Sequence, residues 1–281
     1  MTARILDGRK IASAVRRDLT REAEVARERL GQSPGLAIAR VGNDAASAVY
    51  TQALMRASEA IGVTATLVSL PESTDDAALR AALLSLNGDD RVHGVLMQLP
   101  LPPHLSQRVV GETIAPRKDV DGISMRSAGN LFLRQPSFVP STCAAVMEIL
   151  ERAEIPVAGC RAVVVGASNV VGKPLSFMLL HRDATVTVCH IHTRDLASWT
   201  RQADVLVVAV GKPNLITGSM VKPGATVVDV GINVREDGQL VGDVEFESVV
   251  EVAGAITPVP GGVGQLTNLM LLKQTLIASG L

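Results

Sequence analysis

Residues 161–174 read RAVVVGASNVVGKP, a short apolar run that a glycine interrupts before a helix begins. The run Ala162–Val165 is too short for a helix and rich in β-branched residues, which predicts a buried strand. Gly166 ends this strand, and Gly172 opens the helix. A turn of this kind points backbone N–H groups outward, where they can bind a phosphate at the positive end of the helix.

The glycine spacing is G-x5-G rather than the G-x-G-x-x-G fingerprint, so a plain glycine turn remains an alternative. The residues that follow favour nucleotide binding. Further apolar runs predict strands at Ala184–Cys189, Val205–Val210 and Thr226–Val230. Strands that are apolar on both faces and alternate with helices are typical of a parallel sheet covered on both sides. This half of the chain therefore predicts a Rossmann-like dinucleotide-binding domain.

Length and composition restrict the class of protein. A chain of 281 residues suits two domains, and 47% hydrophobic with 20% charged residues is typical of a globular protein. A net charge of −1 and only 2% aromatic residues argue against a nucleic-acid or membrane-surface partner. The three cysteines, at 143, 160 and 189, form no paired metal spacing, which favours a reducing compartment. We expect a cytoplasmic protein without a bound metal.

The first half predicts a second α/β unit of three strands and three helices. Its predicted strands are Leu36–Val41, Thr64–Leu70 and Gly94–Leu99. An irregular stretch is predicted from Gly122 to Pro140, and an apolar helix near 266–278 is expected to pack back on this unit. The predicted domains are residues 1–140 with 265–281, and residues 141–264.

A few polar residues and one glycine run could carry chemistry. Tyr50, the single tyrosine, is a candidate contact, although a core aromatic is an equal alternative. Gln98 ends a predicted strand and needs a hydrogen-bond partner. Asp119 and Asp121 flank a valine, a pattern also common in solvated turns. Gly261–Gly264 offers a second place where backbone can approach a ligand.

Together these segments resemble, nearly end to end, the bifunctional methylenetetrahydrofolate dehydrogenase/methenyltetrahydrofolate cyclohydrolase family. The matching segments are Val41-Gly42 with Ser47 and Tyr50, Val95–Pro102, Lys118–Gly122, Val165–Pro174, Val228–Asn233 and Thr257–Gly264. The resemblance implies two α/β domains with a cleft between them, a tetrahydrofolate derivative as the substrate of the first, NADP or NAD in the second, and a homodimer.

The resemblance also implies roles for individual residues. Tyr50 would stack on the pterin, Asp121 would anchor its amino-pyrimidine edge, Gln98 would hold a catalytic lysine, and Gly262 would approach the substrate. The implied cofactor-binding residues are Gly166, Ala167, Ser168, Gly172, Ile191, His192, Arg194, Gly211 and Ile232.

The catalytic lysine itself is absent. The family has it four residues after the tyrosine, and this position is Leu54. Arg56 lies about two-thirds of a turn around the helix from Tyr50 and cannot easily replace it. Gln98 is therefore expected to lose its partner and to bind water or the ligand. Further departures from the family pattern occur at Ser141, Cys143 and Gln265.

Hydride transfer needs positioning rather than a base, whereas hydrolysis of the resulting cation needs an activated water. The sequence thus predicts a dehydrogenase with weak or absent cyclohydrolase activity. A catalytically silent folate- and nucleotide-binding paralogue and a full bifunctional enzyme remain alternatives. The segment Cys189–Arg194 has no acid before Asp195, which favours NADP over NAD, unless His192 and Arg194 are simply solvated.

Overall fold

The structure is a computed structural model, and it describes residues 2–235 and 237–280. Two units divide the chain, and each contains its own parallel sheet. The six-stranded unit consists of Met1–Ser13 and Thr142–Thr267, and the three-stranded unit consists of Ala14–Ser141 and Asn268–Leu281. The predicted fold class, two α/β domains with parallel sheets, is confirmed.

Strands and helices alternate through most of the described residues. The strands are β1 (Arg4–Ile5), β2 (Gly35–Val41), β3 (Thr64–Leu70), β4 (Gly94–Met97), β5 (Arg161–Val165), β6 (Thr185–Cys189), β7 (Val205–Val208), β8 (Thr226–Asp229), β9 (Asn233–Val234), β10 (Leu240–Val241) and β11 (Ala255–Ile256). The α-helices are α1 (Gly8–Leu30), α2 (Ala45–Ile61), α3 (Asp76–Gly88), α4 (Gln107–Thr113), α5 (Met125–Phe132), α6 (Ser141–Arg152), α7 (Gly172–Leu180), α8 (Leu196–Thr200), α9 (Phe246–Val249) and α10 (Thr267–Ala278).

The sheet of the six-stranded unit has the order β1-β11-β8-β7-β5-β6, and all its pairs are parallel. Every residue of β7 and β8 is buried, as expected for strands covered on both faces. Val163, Leu206 and Val227 belong to one apolar core of this unit. The carboxyl ends of β5 to β8 therefore lie side by side, where α/β sheets bind nucleotides.

The N-terminal residues differ from the predicted domain boundaries. They were expected in the first domain, but β1 pairs with β11 and forms an edge of the six-stranded sheet. Leu6 N–H extends the pairing by donating to Ile256 O at 2.8 Å. Strands of two residues are too short for a periodic pattern, which is why the sequence did not predict them.

The three-stranded unit has the strand order β3-β2-β4, again parallel. One face of this sheet, with Ala39 and Met97, packs on the apolar core that contains Leu79 and Leu83 of α3. Helix α2 begins where the Asp44 carboxylate accepts from Ser47 N–H at 2.8 Å, and it ends at Gly62. Helix α10 belongs to this unit, as the sequence predicted.

The predicted irregular stretch from Gly122 to Pro140 contains a helix, α5. Its N-cap is Ser124, whose hydroxyl oxygen accepts from Ser127 N–H at 3.1 Å. The prediction was wrong because a capping serine before an eight-residue helix resembles ordinary loop sequence. Within residues 2–235 and 237–280, the structure has no helix with both the length and the apolar character that crossing a membrane requires.

Candidate active site

Four neighbouring strands of the six-stranded unit end in loops that contain the predicted cofactor residues. Gly166–Ser168 follow β5, Ile191–Arg194 follow β6, Gly211 follows β7 and Ile232 follows β8. Because these strands are parallel and adjacent, the loops lie along one edge of the sheet. The structure thus brings these residues together.

The turn after β5 leaves no room for a side chain at either of its two glycines. Gly166 has a φ of 125°, and a Cβ there would overlap the carbonyl oxygen of Ala209. A Cβ on Gly172 would overlap the carbonyl oxygen of Gly166. The hydroxyl oxygen of Ser168 accepts from Val171 N–H at 3.1 Å and fixes the turn. A turn this tight fits a close approach of backbone to a phosphate, as the sequence predicted.

The loop after β6 exposes its side chains. Ile191 is 93% exposed, and His192 and Arg194 are also exposed. His192 N–H donates to Nδ1 of His190 at 3.1 Å, and the two rings meet edge to face. The basic groups of this loop are therefore free of the sheet and accessible to an anionic ligand.

Asp243, fully buried, is a residue of this edge that sequence reasoning missed. One carboxylate oxygen accepts from Val210 N–H at 2.6 Å and Gly211 N–H at 3.0 Å. The other accepts from Lys212 N–H and from the side-chain amide of Asn233, both at 2.9 Å. Asp243 thus ties the loop after β7 to Asn233 of β9, which directly follows the loop after β8. The available signal was an acid within the apolar segment LVGDV.

A second carboxylate, Asp229, lies beside Asp243 and has a similar role. It accepts from the N–H groups of Gly231, Asp243 and Val244 at 2.9 to 3.0 Å. The pKa of Asp229 is raised to about 6, because burial and the charge of Asp243 raise it more than these hydrogen bonds lower it. Through these contacts with backbone N–H groups, Asp229 and Asp243 hold the loops at the carboxyl edge of the six-stranded sheet.

In the three-stranded unit, α2 presents a buried stripe of mixed polarity. Its members are Ser47, Thr51, Leu54, Ser58 and Ile61. Their spacing is that of one helical face. Leu54 is 0% exposed and packs as a core residue. Position 54, where the family resemblance implies a lysine, therefore carries an apolar side chain without any contact to solvent.

Tyr50 lies beside this stripe and is half-buried. Burial raises the pKa of its phenol, and the charge of Asp121 raises it further. The phenol is consequently neutral at physiological pH and close enough to Asp121 to feel its charge. Tyr50 and Asp121, predicted to share a site, are brought together by the structure.

Gln98 follows β4 and is 8% exposed. The prediction that it lacks a protein partner was wrong. Its side-chain amide lies 2.8 Å from the hydroxyl of Thr51 on α2. Thr51 was missed because a β-branched residue one position after Tyr50 has no distinctive pattern. The available signal was a polar residue on the buried stripe of the helix.

The two acids of the turn 119–122 have different environments, and Asp119 is not the solvated acid of the alternative interpretation. Asp119 is fully buried and accepts from Ile123 N–H, Ser124 N–H and the Ser127 hydroxyl at 3.1, 2.9 and 2.5 Å. Asp119 therefore fixes the backbone of the turn that follows it and the start of α5.

Asp121 accepts from Ser141 N–H at 2.9 Å. Burial raises the pKa of Asp121 to about 6, with the charge of Asp119 adding to the effect and hydrogen bonds from Ser141 opposing it. Ser141 therefore contacts the carboxylate of Asp121 through both its backbone N–H and its side chain.

Gly262 belongs to the six-stranded unit. A Cβ there would lie 2.6 Å from the carbonyl oxygen of Pro258, so the loop's own packing requires glycine. Cys143, which was expected from the sequence to depart from the family pattern, donates through its thiol to Val171 O at 3.3 Å, next to the glycine turn.

A parallel sheet whose glycine turn and adjacent loops meet at its carboxyl edge defines an α/β protein with a dinucleotide-binding domain. Comparison with known proteins is more specific. Residues 140–280 match the NAD(P)-binding domain of the tetrahydrofolate dehydrogenase/cyclohydrolase family, and residues 6–121 match its catalytic domain. The chain belongs to this family.

Relatives and solved structures agree with this assignment. The bifunctional protein FolD of Variovorax paradoxus is 50% identical over 279 residues, which are 99% of this chain and 98% of the relative. The bifunctional FolD structure from Campylobacter jejuni is 42% identical with a TM-score of 0.96, and the match covers 98% of both chains. The Trypanosoma brucei FolD structure, complexed with NADP and an inhibitor, is 37% identical with a TM-score of 0.94 and covers 100% of this chain and 98% of the other.

Proposed function

We propose that the protein oxidises 5,10-methylenetetrahydrofolate with NADP⁺ to 5,10-methenyltetrahydrofolate, and that its cyclohydrolase activity is weak or absent. One observation carries the second part of the proposal. The position expected to hold the catalytic lysine is Leu54, which is fully buried and has no functional group. The amide of Gln98, the expected partner of that lysine, contacts Thr51 instead.

The geometry of the three-stranded unit supports the proposed folate roles. Tyr50, neutral and half-buried, is suited to stacking on the pterin ring. Asp121 is suited to accepting hydrogen bonds from the amino-pyrimidine edge, because a carboxylate has two oxygens that each accept more than one hydrogen bond. Gln98 supplies an amide next to both α2 and the end of β4.

The two reactions of the family make different demands on these residues. When bound, the oxidised nucleotide accepts a hydride from the substrate carbon between the two nitrogens. No proton leaves in this step, so the residues need only orient the folate and accommodate the cation that remains. Hydrolysis of that cation needs a group that moves protons, which contributes roughly 10²–10⁴-fold. An apolar Leu54 supplies no such group.

The cofactor residues of the six-stranded unit fit a dinucleotide. Gly166 and Gly172 allow a tight turn after β5, because a Cβ on either would overlap a backbone carbonyl oxygen. A turn of this kind before a helix points N–H groups at a phosphate. His192 and Arg194 are exposed in the loop after β6, where a 2′-phosphate would be recognised. These basic groups support NADP over NAD. Higher kcat/KM with NAD⁺ than with NADP⁺ would overturn this preference.

A second candidate is a full bifunctional enzyme, and the position of Arg40 favours it. Gln98 N–H donates to Ala39 O at 2.9 Å, and Ala39 pairs with Met97. Arg40 therefore lies opposite Gln98 on the same face of the sheet. Its Nε is buried without a hydrogen-bond partner among the described residues. A guanidinium beside Gln98 could position the attacking water by donating a hydrogen bond to its oxygen.

We rank this candidate second because a guanidinium cannot take a proton from water at neutral pH. Arg40→Gln tests it, with Arg56→Gln on α2 as the matched control. Under the second candidate, Arg40→Gln lowers hydrolysis of methenyltetrahydrofolate and Arg56→Gln does not. Under our proposal, neither substitution changes hydrolysis, because the wild-type rate is already that of buffer.

Production of reduced cofactor from methylenetetrahydrofolate and NADP⁺ by the purified protein tests the dehydrogenase proposal. A silent paralogue would bind both ligands and produce no reduced cofactor.

We also propose a homodimer, which the family resemblance supports, and sedimentation analysis at micromolar concentration checks it. A single species of monomer mass would contradict that assembly.

A further inference from the structure

The hydroxyl of Thr51 has two oxygen neighbours and one proton. Its Oγ1 lies 2.8 Å from the carbonyl oxygen of Ser47 and 2.8 Å from Oε1 of Gln98. Both neighbours are acceptors, and a hydroxyl donates only once. Thr51 is 2% exposed, so water does not resolve the conflict. One of the two contacts must therefore have another donor.

Other buried hydroxyls in the helices indicate where the proton goes. Ser58 donates to Leu54 O at 2.8 Å, Ser176 donates to Gly172 O at 2.6 Å, and Thr275 donates to Leu271 O at 2.9 Å. Each bonds the carbonyl four residues earlier, which is a common arrangement for hydroxyls inside helices. The same bond from Thr51 to Ser47 O uses its only proton.

The contact between Thr51 and Gln98 then requires an N–H from Gln98. The oxygen and nitrogen of a glutamine amide have nearly the same shape, so the hydrogen-bond network decides which is which. With the amide turned by 180°, Nε2 of Gln98 donates to Oγ1 of Thr51, and every contact has a donor and an acceptor. The other amide atom of Gln98, now Oε1, has no partner among residues 2–235 and 237–280.

We propose that Thr51 is a positioning residue, which fixes the amide of Gln98 so that its carbonyl oxygen, rather than its N–H, faces the folate. This inference rests on the proposed dehydrogenase function. Hydride transfer breaks one C–H bond, both electrons leave with the hydride, and the carbon and its two nitrogens share the positive charge that remains. A fixed carbonyl dipole stabilises this charge, whereas an amide N–H would oppose it.

Thr51→Val removes the hydroxyl but keeps the shape, and Thr51→Ser restores the hydroxyl. Thr275→Val is the matched control, because it deletes a buried hydroxyl with the same type of helical bond on α10. We expect Thr51→Val to lower kcat of dehydrogenation by about 10- to 100-fold with an unchanged KM for NADP⁺. Thr51→Ser should stay within about threefold of wild type, and Thr275→Val should have wild-type kcat.

A double-mutant cycle shows whether Thr51 acts through Gln98. In a Gln98→Ala background, Thr51→Val should cause no further loss of kcat, because the group it positions is already gone. Wild-type kcat for Thr51→Val, or losses that multiply in the double variant, would overturn the inference.

The side-chain amide signal of Gln98 in NMR spectra of the free protein gives a readout that does not depend on turnover. Gln98→Ala identifies the signal. We expect Thr51→Val to shift it and to speed its hydrogen exchange, while Thr275→Val leaves it in place. If the wild type produces no reduced cofactor, the proposed function fails, yet this signal still decides the inference. An amide signal that Thr51→Val leaves unchanged would contradict it.

Discussion

The glycine turn of the six-stranded unit and the α2–β4 region of the three-stranded unit are constrained in different ways. In the turn, backbone atoms occupy the space that a Cβ at Gly166 or Gly172 would need. In the α2–β4 region, side chains contact side chains, and Thr51 takes the place next to Gln98 that a lysine was expected to occupy. A position that is constrained by backbone atoms permits only glycine, whereas two side chains in contact can both be replaced by another matching pair.

On this reasoning, substitutions in the α2–β4 region need not disturb the glycine turn. At the turn, the thiol of Cys143 bonds the backbone carbonyl of Val171. In the three-stranded unit, position 54 carries a buried leucine, and the side-chain amide of Gln98 contacts Thr51. We infer that hydride transfer depends on the glycine turn, and that weak or absent hydrolysis results from the apolar residue at position 54.

The largest effect is expected from Gly172→Ala. The added methyl group would overlap the carbonyl oxygen of Gly166 and force the turn open. NADP⁺ affinity measured by calorimetry should fall at least about 100-fold. Gly129→Ala is the control, since a Cβ there meets nothing within 4 Å. Wild-type affinity in Gly172→Ala would show that the turn does not bind the cofactor.

Asp121→Ala should weaken folate binding by roughly 2–4 kcal/mol, about 30- to 1,000-fold, because ligand donors lose a charged acceptor. NADP⁺ affinity should not change, since Asp121 belongs to the three-stranded unit and the cofactor residues belong to the other. Equilibrium binding of tetrahydrofolate and of NADP⁺ to the same preparation measures both effects. Unchanged folate affinity would remove Asp121 from the proposed site.

Leu54→Lys reintroduces an ammonium one helical turn after Tyr50. Because Leu54 is fully buried, the substitution should cost about 1–3 kcal/mol of unfolding free energy. It should also raise hydrolysis of methenyltetrahydrofolate above the buffer rate, by less than about 100-fold, since Ser141, Cys143 and Gln265 remain altered. Denaturant unfolding and loss of the methenyl absorbance measure the two effects.

Leu54→Met is the control for this substitution, because it changes shape at nearly constant volume without adding a charge. It should cost less stability and leave hydrolysis at the buffer rate. If Leu54→Lys is destabilised and gains no hydrolysis, position 54 is a core position only, and the folate site does not include this face of α2.

The smallest effect concerns pH. The pKa of Asp121 is raised to about 6, so its proton is held below pH 6 and released above it. If the carboxylate binds the pterin, folate affinity should fall about tenfold as the pH decreases from 7 to 5. Asp121→Asn should have a flat profile over this range. A wild-type profile as flat as that of Asp121→Asn would contradict the assignment.

The sequence predicted the elements that have long residue patterns and missed those that have short ones. Apolar runs such as Val205–Val208 and the glycine turn gave the two α/β units, because they extend over several residues and their physical meaning is local. The edge strand β1 and the helix α5 were missed, since two-residue pairing and a short capped helix carry almost no periodicity.

The site was predictable where a residue acts alone and not where it acts through a distant partner. Tyr50 and Asp121 were both named from the sequence, and the structure brings them within electrostatic range. Thr51 and Asp243 were not named, because their roles consist of contacts with Gln98 and with the loop 210–212, which only folding brings close.

Separate recording of reduced cofactor and methenyltetrahydrofolate, during turnover of methylenetetrahydrofolate with NADP⁺ by the wild-type protein, tests the central claim most directly. We predict that the two products accumulate in equal amounts, and that methenyltetrahydrofolate then disappears no faster than it does in buffer without protein. Methenyltetrahydrofolate that disappears faster in the presence of the protein would contradict the claim, because another group of this chain would then have to activate the water.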